Sequence, residues 1–236
     1  ESQIAIDNVE FQDAFGGESI ILLFSANRDG VDIGDLFEGA NLAALVDIGE
    51  RLEGADPGRT LISSIITPLT SLEYSSELVA GGAGSAALIA ASQRDPDETG
   101  RAARQADIPL ALARLSAAGP QEIGNPTYNE LLLFGNDGFE LVDGTPVPPA
   151  DEDRQIRLSL KSSFPNQQTA VGGIVLIGNA SIDELAAGTE LILDALEGVA
   201  FDGLDLTITG APVYLKEIND YLQGGMLTLG LAALVV

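Results

Sequence analysis

The stretch of sequence most like a metal-binding loop is DPDETG, residues 95–100. Its side chains place oxygen atoms at alternating positions and its sixth residue is glycine, as at the start of an EF-hand calcium loop. Such a loop requires a bidentate carboxylate at its twelfth position, and that residue here is Ala106. Pro96 is also unusual within a calcium loop. The sequence therefore favours an acidic loop, and we predict no metal-ligating residues.

Residue types that common catalytic mechanisms need are missing, since the chain has no histidine and no cysteine. This composition excludes thiol nucleophiles, Ser-His-Asp triads, disulfides and the usual zinc sites. The glycine-rich segments 81–84 and 172–173 are not followed by the Gly-Lys-Ser/Thr of a phosphate-binding loop. Among 36 acidic residues, no carboxylate pair can be singled out for acid–base catalysis. We therefore predict no catalytic residue and no cofactor, and we disfavour an enzyme.

Two polar motifs overlap at residues 179–184. Asn179-Ala180-Ser181 matches the acceptor sequence for N-glycosylation. Ser181 and Glu184 also match a capping box, in which each side chain bonds a backbone N–H group at the start of a helix. The helix cap is the preferred interpretation, although an exposed turn would accommodate both motifs.

Basic residues are scarce enough for their spacing to be informative. Arg154, Arg157 and Lys161 are three or four residues apart, which would align them on one face of a helix. The acidic residues 151–153 directly precede them. Ion pairing within this acid-rich region is therefore the preferred interpretation.

The charge balance is extreme, with 11 lysine and arginine residues against 36 aspartate and glutamate residues and a formal net charge of −25. Such a surface repels nucleic acid and offers no basic patch to anionic lipid headgroups. Hydrophobic residues make up 45% of the chain, so it can bury a core and is not a disordered acidic tail. We interpret the acidity as adaptation to high salt, which screens the self-repulsion of the folded chain.

Residues 1–68 are predicted to form a β-α-β unit. The apolar run ESIILLF, residues 18–24, predicts a strand covered on both faces. A helix follows, with Asn41 as its N-cap. Residues 60–67 form the next strand, which Pro68 ends. The buried stripe of the helix is predicted to contain Leu42, Leu45, Val46, Gly49 and Leu52.

Residues 69–150 depart from this pattern. The Ala-rich segments 85–91 and 100–118 predict helices, and Pro109 is expected to break or begin one of them. Asn-Asp-Gly at 136–138, between the apolar runs LLLF and FELV, predicts a hairpin turn. We interpret this block as a mainly helical insertion.

Residues 151–223 are predicted to form a second β-α-β unit. Residues 154–163 alternate imperfectly and predict a strand or a short helix. Residues 169–178 predict a strand whose glycine pair, 172–173, marks a bulge or the close approach of another backbone. Alternation of apolar and polar residues at 204–209 predicts the last strand. The intervening helix has a predicted inner stripe of Leu185, Thr189, Ile192, Leu193 and Leu196.

Two β-α-β units separated by an insertion predict an α+β fold. The arrangement expected is a ferredoxin-like β-α-β-β-α-β sandwich with a mainly helical insertion. Four strands would form one sheet, and two helices would cover one of its faces.

A joint and a short helix follow the last strand. Gly210 and Pro212 end the strand and suit the first turn of a helix, and Gly224 and Gly225 end that helix. Tyr214 and Tyr221 lie seven residues apart on this helix, and we expect both side chains to pack against neighbouring residues. Leu215, Ile218 and Leu222 recur at helical spacing, so one side of this helix is predicted to be apolar.

The chain then continues into an apolar run. Residues 226–236 carry no charge, and Thr228 is their one polar residue. Because a bilayer span needs about 20 apolar residues, this run is too short to cross a membrane. It predicts either a buried terminal element of a soluble domain or, over residues 224–236, the start of a truncated transmembrane helix. We favour the second, because the chain does not begin with Met and a soluble domain would leave an unusually apolar tail.

Four segments carry a resemblance to one family of membrane exporters. The sequence is similar there to the first extracytoplasmic loop of the resistance-nodulation-division (RND) superfamily, in its MMPL or hydrophobe-exporter branch. The resemblance covers both ends of the chain and is weak from residue 76 to residue 153. The segments are FQDAFGGESIILLF (11–24), SSIITPL (63–69), RLSLKSSFPNQQTAVGGIVLIGNASIDE (157–184) and TITGAPVYLKEINDYLQGGM (207–226).

The resemblance implies the extracytoplasmic porter domain of a proton-driven exporter of hydrophobic or amphiphilic molecules, such as lipids or drugs. It implies a location at the cell membrane and the ferredoxin-like fold of porter subdomains. Its partners would be the transmembrane helices and second porter domain of the same full-length protein, and a hydrophobic or lipid-like substrate. A homo-oligomer is compatible with this assignment.

In that family, acidic residues of the transmembrane helices couple transport to protons, so this chain would have no turnover of its own. Gly210, Pro212, Gly224 and Gly225 would form a joint that transmits motion between a membrane helix and the sheet. The alternative from a different class is a soluble, acidic α+β ligand-binding or regulatory domain of a salt-adapted organism.

Overall fold

The structure is a computed structural model that describes residues 17–80, 97–134, 140–143, 145–147 and 154–222. Its strands are β1 (Ser19–Ala26), β2 (Ile62–Ile66), β3 (Glu140–Val142), β4 (Thr145–Val147), β5 (Thr169–Leu176) and β6 (Leu204–Thr209). Its α-helices are α1 (Gly39–Ala55), α2 (Pro68–Ala80), α3 (Glu98–Ala117), α4 (Pro126–Phe134), α5 (Ile182–Ala195) and α6 (211–222). Short 3-10 turns occupy Asp35–Phe37 and Leu158–Leu160.

Four strands form one sheet in the order β2-β5-β1-β6, and every neighbouring pair is antiparallel. Helix α1 connects β1 to β2, and helix α5 connects β5 to β6. The two helices contact each other and bury residues in the same hydrophobic core, so they lie on one face of the sheet. The predicted α+β class is confirmed.

Strand β1 has one buried face. Ile20, Leu22 and Phe24 are fully buried, whereas Ile21 is 40% exposed and Leu23 is partly exposed. The prediction of a strand covered on both faces is therefore wrong for the described residues. A continuous apolar run does not reveal which of its alternate residues will be covered, because both faces of the strand read alike.

Helix α1 begins three residues earlier than predicted, and Asn41 is not its N-cap. Glu38 occupies that position without a side-chain cap. The amide of Asn41 donates to the carbonyl oxygens of Asp35 and Asp202, both at 3.1 Å, and accepts from the Asp202 N–H at 2.8 Å. Asn41 thus binds the start of α1 to the loop before β6. The buried residues of α1 are Asn41, Leu45, Ile48 and Leu52, while Val46 is 42% exposed.

The described part of the insertion contains α2, α3, α4 and the β3–β4 hairpin. Pro109 lies inside α3, so the expected helix boundary there is wrong. The run LLLF belongs to α4, which contradicts the predicted hairpin; Glu140–Val142 pairs instead with Thr145–Val147, and residues 136–138 lie outside the described residues. Tyr128 of α4 is fully buried, and its hydroxyl bonds Ser76 Oγ at 2.9 Å.

Residues 154–163 form neither a strand nor a regular helix, but an irregular segment and a 3-10 turn. The close backbone approach predicted at the glycine pair is confirmed, because a β-carbon on Gly172 would lie 2.9 Å from the Ile66 carbonyl oxygen. The register shift in this region lies in the partner strand, between Ile62 and Ser64.

The capping box at the start of α5 is confirmed. Ser181 Oγ accepts from the Glu184 N–H at 3.2 Å, and the Ser181 N–H donates to Glu184 Oε2 at 2.7 Å. Thr189 and Ile192 of the predicted inner stripe are fully buried and Leu196 nearly so, with Gly188 beside them.

Candidate functional site at the last helix

The junction between β6 and α6 is closely packed. Gly210 has φ +128°, a conformation that residues with a side chain rarely adopt. A β-carbon on it would lie 2.5 Å from the Ser19 carbonyl oxygen and 3.2 Å from the Ile20 α-carbon. Its own carbonyl accepts the Tyr214 N–H at 3.2 Å. Only glycine fits at this bend, and the bend sets the direction in which α6 leaves the sheet.

The first turn of α6 rests on the domain. Pro212 and Val213, in its first turn, are buried. The Asp220 carboxylate, 2.7 Å from Lys216 Nζ, raises the pKa of that ammonium, and the carboxylates of Glu190 and Asp194 on α5 add to the rise. The polar side of α6 therefore lies in the field of the acidic end of α5.

The opposite side of α6 is apolar and exposed. At 100° per residue its large side chains span an arc of about 120°, and each is between 55% and 82% exposed. The apolar side that the sequence predicts on this helix is confirmed, whereas the expected packing of the two tyrosines against neighbours is wrong, because Tyr214 and Tyr221 are exposed. We call this surface the outer face of α6; its residues are Tyr214, Leu215, Ile218, Tyr221 and Leu222.

The predicted coupling joint is only partly described. Gly210 and Pro212 lie together in the packed bend between β6 and α6. Gly224 and Gly225 lie outside the described residues. The described half of the joint is a closely packed bend, in which Gly210 leaves no room for a β-carbon.

Sequence reasoning missed the direction of the outer face, although a signal for it was present. The stripe at helical spacing is bordered by Tyr214 and Tyr221, whose rings are apolar and whose hydroxyls favour a polar boundary. A stripe bordered in this way is as typical of an interface as of a core.

A second cluster of functional side chains surrounds Arg154, whose side chain is only 7% exposed. Its guanidinium donates to Asp32 Oδ2 at 2.9 Å and to Glu130 Oε1 at 3.0 Å, and it lies 4.1 Å from the centroid of the Phe134 ring. The cluster joins α4 to the loop before α1. The alternative of a shared helical face for Arg154, Arg157 and Lys161 is wrong, because 154–157 is irregular.

The acidic loop near residue 97 caps a helix. Asp97 accepts from the Thr99 N–H at 3.2 Å and from the Gly100 N–H at 3.1 Å, at the start of α3. Residues 95 and 96 lie outside the described residues. Across the described ranges, no group of three or more acidic side chains is arranged to hold a metal ion.

A shallow groove of about 690 Å³ lies between α1 and α5, lined in part by Arg51, Glu190 and Asp194. Arg51 is its one lining cation, and it is engaged by Asp47 at 2.7 Å and by the Glu197 carbonyl at 3.3 Å. The groove therefore presents mainly carboxylates and alanines, which is a poor surface for an anionic ligand.

The sequon asparagine lies on an exposed turn. Asn179 has φ +54° and precedes the Ser181 cap of α5. The glycosylation motif and the helix cap therefore share one surface turn, as the sequence allowed.

Comparisons with known proteins identify no family for this chain. No protein-family model matches the chain, and no match was found among curated proteins or solved structures. In the part of the chain that the structure describes, no helix combines the length and apolar character needed to cross a bilayer.

Proposed function

We propose that this chain is the extracytoplasmic porter domain of a proton-driven RND/MMPL-type exporter of hydrophobic or amphiphilic molecules. It would form part of the substrate path and would move as a rigid unit beside the transmembrane helices and the second porter domain of the full-length protein. Neither catalysis nor a cofactor is assigned to it.

The order of the sheet supports the fold implied by this proposal. Read from the β6 edge, the order of the sheet is β6-β1-β5-β2. Numbered by their order along the chain, these are the fourth, first, third and second of its four strands. Two crossover helices on one face and antiparallel neighbours also support a ferredoxin-like β-α-β-β-α-β sandwich. Fold alone does not define function, so the proposal needs a second observation.

The observation that carries the proposal is the outer face of α6. An exposed apolar surface on the last described helix is followed, after Gly224-Gly225, by the uncharged run 226–236. A domain that works alone in water rarely combines both features, because contiguous exposed apolar surface marks an interface. A membrane beside the domain would cover that surface.

In this mechanism, the closely packed bend at Gly210 would make α6 and the sheet move together as one rigid unit. Displacement of a membrane helix would then reach the sheet through α6 without being absorbed at the strand end. The compliant part of the joint would be the glycine pair 224–225, as in a hinge whose few residues take up the change in φ and ψ.

The open reading frame that encodes the chain tests the proposal. We expect apolar sequence to continue for about ten residues beyond Val236, because a membrane helix needs about 20. A stop codon or a polar tail there would contradict the exporter assignment and favour the soluble ligand-binding alternative.

A further inference from the structure

The outer face of α6 has properties that restrict what can cover it. It contains no charged side chain, and the acidic residues of the helix, Glu217 and Asp220, lie outside the apolar arc. The apolar arc is about opposite the side that Pro212 and Val213 bury in the domain. The helix therefore presents a neutral apolar face that points away from the side buried by its first turn.

We infer that the outer face of α6 lies in the interfacial region of a zwitterionic lipid bilayer, with Tyr214 and Tyr221 at headgroup level. This inference rests on the proposed function, which places the domain beside a membrane, and it names the partner of that surface. Tyrosine suits this depth because its ring is apolar and its hydroxyl reaches the headgroups. An amphipathic helix of this kind lies in the plane of the interface without crossing it.

Continuity of the chain favours lipid over a second copy of the domain. The outer face is followed by residues 226–236, which are uncharged over their whole length. Because residues 226–236 follow α6 after only a few residues, whatever surrounds this uncharged run lies close to the outer face. A bilayer accepts both, whereas two copies with a formal charge of −25 each repel one another as they approach.

Charge selects the lipid. The net charge of −25 and the carboxylates of Glu217 and Asp220 oppose approach to anionic headgroups. Binding would therefore depend on apolar burial, would tolerate high salt, and would weaken when anionic lipid is added at low salt.

The chain has no tryptophan, so a single introduced tryptophan reports its own surroundings. In Tyr221→Trp, phosphatidylcholine vesicles should shift the emission to shorter wavelength, and brominated lipid should quench it. Tyr74→Trp, on exposed α2, is the matched control and should show neither effect. Both measurements use the whole 236-residue chain in high KCl.

A second pair of variants measures affinity. Ile218→Glu puts a charge in the centre of the outer face and should weaken vesicle binding at least about tenfold, since losing the burial of one large aliphatic side chain exceeds about 1.4 kcal/mol. Ile182→Glu changes another exposed isoleucine, at the start of α5, and should leave binding unchanged.

Three results would overturn the inference. The first is an emission spectrum of Tyr221→Trp that vesicles do not shift. The second is equal vesicle binding by Ile218→Glu and the parent, which would place binding in residues 226–236 alone. The third is a blue shift without vesicles that grows with protein concentration, which would identify a second copy.

The failure of this inference and the failure of the proposed function can be told apart. Export by the full-length protein together with any of the three results leaves the proposed function standing. A lipid response without export removes that function and keeps the lipid contact.

Discussion

The backbone of Gly210 packs against the carbonyl oxygen of Ser19, so that a β-carbon at Gly210 would lie 2.5 Å from that oxygen. Ser19 begins β1, the second strand from the edge, and Gly210 directly follows β6, the edge strand beside it. This contact fixes the angle between the sheet and α6. The orientation of the outer face of α6 therefore depends on a position that has no room for a side chain.

We predict that Gly210→Ala destabilises the domain by at least about 2 kcal/mol, because it combines a backbone clash with a strained φ. Gly49→Ala is the matched control, since a β-carbon on Gly49 meets nothing within 4 Å and α1 continues on both sides of it. That substitution should stabilise by about 0.5–1 kcal/mol. Urea unfolding of both variants measures the difference, and equal effects of the two would contradict it.

Asp56 organises the turn between α1 and β2. Its carboxylate accepts from the Thr60 N–H and hydroxyl at 3.0 Å and from the N–H groups of Leu61 and Ile62 at 2.7 Å. Burial alone would raise its pKa, but these four donors outweigh burial and lower the pKa from 3.8 to about 2. Asp56→Asn replaces one acceptor oxygen by a donor and should cost about 2 kcal/mol.

The pH dependence of that cost has a definite sign. A depressed pKa gives stability that is present above the unfolded value and is lost as pH falls through the folded value. The gap in stability between the parent and Asp56→Asn should therefore be constant above pH 3.8 and shrink towards pH 2. Asp29→Asn, on an exposed loop, is the control and should change stability at neutral pH by less than about 0.5 kcal/mol. If the difference in stability between the parent and Asp56→Asn were as large near pH 2 as at neutral pH, the role of the Asp56 carboxylate would be refuted.

Glu38 is predicted to oppose folding when it is ionised. Burial raises its pKa above 4.5, and the neighbouring carboxylates of Asp35 and Asp32 raise it further. Glu38→Gln should therefore raise the melting temperature at neutral pH, with no gain below about pH 4, where both states bind the proton. Glu184→Gln should lower it, because hydrogen bonds from Ser181 depress the pKa of Glu184.

Salt provides the independent check on the Glu38 prediction. If repulsion limits stability, KCl should raise the melting temperature of the parent and reduce the gain from Glu38→Gln. A melting temperature that stays flat from low to molar KCl would contradict both the prediction and the interpretation of the acidic surface as salt adaptation.

The order of elements was readable from sequence because each β-α-β unit carries local signals. Ser181 and Glu184 specify the start of α5 by themselves, and the structure forms both of their hydrogen bonds. Alternation at 204–209 defined β6 for the same reason. These signals involve neighbours in the chain, so no tertiary knowledge was needed.

The failures involve contacts between distant residues. Asn41 resembles an N-cap, yet its amide bonds Asp202, 161 residues away. Arg154 forms ion pairs, as predicted, but the spacing could not reveal Asp32 and Glu130 as its partners, and residues 151–153 lie outside the described residues. The outward direction of α6 depends on Gly210 packing against Ser19, and spacing along the helix cannot reveal which of its sides the domain covers.

Flexibility at the glycine pair should be needed for coupling. In the full-length protein, we expect Gly224→Pro to reduce export, because proline fixes φ and removes a backbone donor. Gly224→Ala is the control and should retain most export, since alanine keeps the donor and both main backbone regions. Export rates normalised to the amount of protein in the membrane give the comparison. Undiminished export by Gly224→Pro would refute a hinge at this position.

Export by the full-length protein in proteoliposomes tests the central claim most directly. An imposed proton gradient should drive a fluorescent hydrophobic molecule across the bilayer, and an uncoupler should stop the movement. Deleting residues 17–222, the described domain, should abolish export while a separate assay shows that the protein remains in the membrane. Absence of gradient-driven movement by the intact protein, or undiminished movement after the deletion, would contradict the claim.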